Sequence, residues 1–101
     1  SPSLGAWADV TASRALDTVY QNGATVREVS INVNLNQDVE SVLLYIGSAN
    51  PPTVIVGNAD GGASLTSVWQ IGVPIPANHY YRLVTNAGTP AVEYWSEAQW
   101  A

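Results

Sequence analysis

The chain has 101 residues, only 11% of them charged, with a net charge of −5, no lysine and no cysteine. Its three arginines, Arg14, Arg27 and Arg82, are too widely spaced to form the basic stripe that phosphate neutralisation requires, which argues against nucleic acid and anionic membrane surfaces as partners. The absence of thiols and the single histidine argue against disulfides and ordinary zinc sites, and the 47% hydrophobic content is the opposite of a disordered composition, so one compact domain is expected.

The opening Ser-Pro-Ser-Leu-Gly has neither the charged nor the apolar region of a secretory leader. With no methionine at position 1, the chain reads as a piece of a longer protein. Trp7–Val10 forms a first short strand. Ala12–Leu16 has helical composition but is too short to persist alone. Asp17–Gln21 is a second short strand, and Asn22-Gly23 is a hairpin signal, with the pairing of Thr25–Arg27 left unassigned. Val29–Leu35 alternates cleanly, with Val29, Ile31, Val33 and Leu35 on one face and Ser30, Asn32 and Asn34 on the other, the pattern of a half-buried strand.

Asn36–Glu40 is a polar loop. Ser41–Gly47 is a more apolar strand and is expected to be central. Ala49–Thr53, with Pro51 and Pro52, is a turn, Val54–Val56 a short strand, and Asn58–Ala63 a glycine-containing loop. Leu65–Val73 alternates again, placing Leu65, Ser67, Trp69, Ile71 and Val73 on one face, with Trp69 in the core and Pro74 and Pro76 ending the strand. In His79–Thr85, His79, Tyr81, Leu83 and Thr85 point one way and Tyr80, Arg82 and Val84 the other. Asn86–Pro90 is a turn and Ala91–Trp95 the last strand. No segment of about 20 apolar residues offers a membrane span.

About eight short strands at regular spacing indicate an all-β fold, a single jelly-roll-like sandwich of antiparallel strands. Periodicity alone does not separate a jelly roll from an up-and-down sandwich.

The polar chemistry is sparse. No glycine-flanked serine nucleophile occurs, and one histidine among many serines defines no triad. Glu93 and Glu97 would share a strand face, and Asp38 and Glu40 share a loop, but both pairs read as ordinary surface positions rather than a glycosidase pair. Asn58-x-Asp60-Gly61 lacks the later glutamate of a calcium loop. No catalytic residue, metal site or cofactor is therefore expected. His79, Tyr80 and Arg82 read either as the start of a strand or as an amphipathic binding patch, in which Arg82 lies over a neighbouring ring and Asn58 and Asp60 form a hydroxyl-binding rim. Trp95 and Trp100, near the chain end, read as exposed subunit-interface residues, with sugar stacking as the alternative.

The order W-x-D-V-T-x-S-R-A-L-x-T-x-Y-x-N (Trp7 to Asn22), then alternating strands, then V-P-I-P-A-N-H-Y-Y-R-L and a tryptophan-rich tail resembles a small C-terminal module of bacteriophage tail fibres and tailspikes. The resemblance implies a homotrimeric, non-enzymatic β-sandwich at the tip of the virion tail that assembles the fibre and attaches it to bacterial surface polysaccharide. Any glycan-cleaving activity would lie upstream. The alternatives are a carbohydrate-binding module of a secreted bacterial enzyme and a purely structural trimer cap.

Overall fold

A computed structural model describes residues 3–35, 40–61 and 67–101, with the side chain of Ser67 left out. Among the described residues there are eight strands: β1 (Ala8–Asp9), β2 (Tyr20–Gln21), β3 (Arg27–Leu35), β4 (Ser41–Gly47), β5 (Val54–Asp60), β6 (Ser67–Ile75), β7 (Tyr80–Ala87) and β8 (Ala91–Gln99). The helical composition after β1 yields only a 3-10 turn, Thr11–Ser13. Asp9 Oδ1 accepts from the Thr11 N–H at 3.0 Å and from the Thr11 hydroxyl at 2.6 Å. No helix among the described residues is long and apolar enough to cross a membrane.

The strands form two four-stranded sheets, in the orders β1-β8-β3-β6 and β2-β7-β4-β5. Strand β1 pairs with β8, β2 with β7, β3 with β6 and β4 with β5, all antiparallel. That nesting is one long hairpin whose halves roll together over two layers, a jelly roll. The β3–β8 and β4–β7 ladders join the nested pairs within each sheet.

Alternation decides what lies between the layers. Val29, Ile31, Val33 and Leu35 of β3 face Val42, Leu44 and Ile46 of β4, with Ile71, Ile75, Tyr81, Leu83 and Trp95 completing the core. Tyr81 and Leu83 are both fully buried, as the β7 pattern requires. At Gly57 the sheets come so close that a β-carbon would sit 2.9 Å from Ile71 Cγ2.

Several expectations need correction. Asn22-Gly23 is not a hairpin turn: β2 and β3 belong to different sheets, so this segment crosses between layers. Asn22, 2% exposed, fastens the crossover by donating to the Thr25, Ile75 and Pro76 carbonyls at 2.8, 3.0 and 3.0 Å. Pro74 does not end its strand, because β6 is a sheet edge and tolerates a missing N–H. Strand β5 continues through Asn58 and Asp60, which were expected in a loop, and β8 continues four residues past Trp95 to Gln99. Trp95 is not a surface residue but is fully buried in the core, which leaves it no surface for a subunit contact. Trp69 is on the expected face, opposite Val33, yet it is 42% exposed, on a strand that no described strand pairs with on its outer side. Leu65, Asn36 to Asp38, Gly62 and Ala63 lie outside the described residues.

Candidate functional site

The outer face of the β2-β7-β4-β5 sheet gathers most of the residues singled out from the sequence. Arg82 on β7 stands opposite Tyr45 on β4, and its guanidinium carbon lies 4.7 Å from the centre of the Tyr45 ring. Arg82 Nη2 donates to the Pro52 carbonyl at 3.1 Å, while its Nε is buried without a hydrogen-bond partner. Tyr80 follows, opposite Gly47 on one side and Gln21 on the other. Asn58 is opposite Leu43 and Asp60 is opposite Ser41, both exposed on β5. Register therefore brings Tyr80, Arg82, Asn58 and Asp60 to one sheet.

His79 falls one residue before the start of β7. It lies in the turn before β7, with Nδ1 3.0 Å from the Ala77 carbonyl and its N–H donating to the Pro76 carbonyl at 3.2 Å. The ring beneath Arg82 is Tyr45, which the sequence reading missed. The signal was available, since the β4 alternation that buries Val42, Leu44 and Ile46 turns Tyr45 outward.

Glu97 was expected at the surface and is only 7% exposed. Its Oε2 accepts from Arg14 Nε at 3.1 Å, the Tyr81 hydroxyl at 2.8 Å and Trp95 Nε1 at 2.9 Å. Its Oε1 accepts from Arg14 Nη2 at 2.8 Å and Arg27 Nη1 at 3.3 Å. Burial pushes this carboxyl up, but the hydrogen bonds from Arg14 and Tyr81, the Arg14 charge and the Trp95 indole hold it below the ordinary carboxylate range. Burial, then the hydrogen bond and charge of Glu97, push the Tyr81 hydroxyl up. A carboxylate so fully satisfied by donors ties strands together rather than abstracting protons. Nor does it pair with Glu93: the β3–β8 register skips that residue, with Asn32 opposite Tyr94 and Val33 opposite Val92.

The lateral margin is the third feature. Strands β5 and β6 are the edges of their respective sheets and lie side by side across the two layers, as the Gly57–Ile71 approach requires. Val54, Ile55 and Val56 are 59, 52 and 44% exposed, and Val68 and Trp69 are 60 and 42% exposed. Strand β6 carries no charged residue, and β5 carries only Asp60 at its end.

Trp100 is bonded through its indole N–H to Glu28 at 2.9 Å and lines a groove at one end of the sandwich. Comparison with protein-family models, curated proteins and solved structures gave no match.

Proposed function

We propose that this chain is a non-enzymatic assembly and attachment module of the kind that closes phage tail fibres and tailspikes. Copies join as a homotrimer through the β5–β6 margin, and together they hold bacterial surface polysaccharide. The observation that carries this reading is the margin itself. Free sheet edges are ordinarily guarded by charge, proline or a covering segment, whereas Val54-Ile55-Val56 offers consecutive exposed β-branched side chains. Copies that each carry a net charge of −5 repel one another wherever carboxylates meet, and this margin is nearly free of them. The Arg82–Tyr45 pair, with Tyr80 alongside, supplies a flat amphipathic surface for a sugar ring. Three copies would add avidity through effective concentration.

Light scattering tests the assembly. The isolated chain is expected at three times its 10.7 kDa mass, and Ile55→Lys with Val68→Lys is expected to give a folded monomer. A wild-type monomer that still binds glycan would replace this reading with a carbohydrate-binding module of a secreted enzyme. A trimer whose attachment to host cells survives Tyr80→Ala with Arg82→Ala would move the attachment role to another face, and a wild-type trimer that holds no host glycan would favour a structural cap.

A further inference from the structure

We infer that the groove beside Trp100 is a subsite for a neutral hexose unit, an inference that rests on the attachment part of the proposed function. Trp100 is fastened through both its backbone and its indole. Its N–H donates to the Val26 carbonyl at 2.9 Å, and its own carbonyl accepts from the Thr25 hydroxyl at 2.6 Å. An isolated bridge pairs it with Leu4. Its indole N–H donates to Glu28 Oε2 at 2.9 Å, which fixes the ring plane as well as the backbone. The strand behind it is equally rigid. Gln99 Nε2 donates to the Thr25 carbonyl and hydroxyl at 2.8 Å each, and Asn22 holds the crossover beneath. The aromatic surface is thus organised before any ligand arrives, which lowers the entropic cost of binding.

The groove has a volume of about 550 Å³, within the range of roughly 300–1,000 Å³ typical of small-molecule sites. Ala24, Val26, Ala77 and Ala101 line it with Trp100 and Thr25, and Glu28 is the one charged side chain among the lining residues. A pyranose ring has an apolar C–H face that suits the indole and walls, and hydroxyl donors at its rim. Glu28 Oε2 is engaged by the indole, which leaves Oε1 to accept from a hydroxyl, a charge-assisted and therefore strong contact. The carboxylate disfavours acidic sugars, and the lone aromatic ring does not form a cage for a quaternary ammonium group. Neutral hexose is the ligand chemistry that uses both the stacking surface and the acceptor.

The test is titration of the intact chain with short neutral gluco-, galacto- and manno-configured oligosaccharides, following the tryptophan indole N–H signals by two-dimensional NMR. A saturable millimolar shift of the Trp100 signal is expected with at least one configuration, while the core Trp95 signal stays in place. Glu28→Gln, which leaves the backbone fastenings intact, is expected to weaken binding about tenfold through loss of the charge-assisted contact. Trp100→Ala, which removes that reporter and is therefore followed by titration calorimetry, is expected to abolish it. Absence of any Trp100 shift across the panel would overturn the inference, as would a larger response to tetramethylammonium than to any sugar. A Trp100 shift that persists in the monomeric Ile55→Lys, Val68→Lys variant keeps the subsite even if assembly fails. A trimer with no Trp100 response retains assembly without the subsite.

Discussion

Glu97 accepts five hydrogen bonds, from Arg14, Arg27, Tyr81 and Trp95. In a strand read by alternation, an acidic residue two places after a tryptophan looks like surface, and nothing local reveals that Arg14 and Arg27 converge on it from elsewhere in the chain. The signal lay in long-range pairing, which periodicity does not carry. Its consequence is measurable. Because the folded carboxyl is held below its ordinary value of 4.5, its stabilising contribution is fully present above that value and is lost as pH falls through the lower folded value. Glu97→Gln leaves two arginines facing a neutral amide, and at neutral pH it is expected to cost about 2–4 kcal/mol. Chemical denaturation should show the gap between variant and wild type closing as the solution is acidified, since wild type then protonates the same group. A constant gap at all pH values would show that the loss is one of packing alone. Asn22 was read as a turn residue and is a buried junction instead. Asn22→Ala removes one donor from each of the Thr25, Ile75 and Pro76 carbonyls and the 2.7 Å acceptor of the Gly23 N–H, while the Thr25 and Pro76 carbonyls keep Gln99 Nε2 and the His79 N–H as donors. An expected loss of about 1–3 kcal/mol in urea unfolding follows from losing these hydrogen bonds at a buried side chain.

Among the elements, alternation located β3, β6 and β7 and the faces they bury, because a half-buried strand imprints its environment on every second residue, while β4 was read from its apolar run with no face assigned. Boundaries were harder to read. Pro74 and the Asn58–Asp60 run look like terminators locally, yet an edge strand carries both, since one of its sides needs no ladder partner. Bulges were not legible either. Val56, Asn86 and Glu93 are each skipped by a ladder, and a single inserted residue changes which side chains share a face without leaving a compositional mark. The skip at Val56 falls beside Gly57, where the layers approach closely. Gly57→Ala would drive its new methyl to within 2.9 Å of Ile71, so Ile71 must move. Overpacking of that kind is expected to cost about 1–3 kcal/mol. Gly72→Ala, whose β-carbon would meet nothing nearer than 3.9 Å, is the control and should leave the thermal midpoint nearly unchanged.

For the whole molecule, the distribution of charge and apolar surface sets how copies meet. The proposed function places joined copies on the margin of Val54, Ile55, Val56, Val68 and Trp69, while the acidic excess lies on other surfaces. Two forces then act on assembly in opposite directions: burial of apolar margin favours it, and repulsion between chains of net charge −5 opposes it. Salt screens the second over a Debye length of about 8 Å at physiological ionic strength and leaves the first intact or strengthened. Raising sodium chloride is therefore expected to tighten association, seen in sedimentation velocity as a fall in the concentration at which the assembled species appears. An assembly held by ion pairs would respond in the opposite sense and come apart as salt rises. Dissociation in high salt would consequently move the interface away from the β5–β6 margin and toward the few arginines, even if the mass at low salt were that of a trimer.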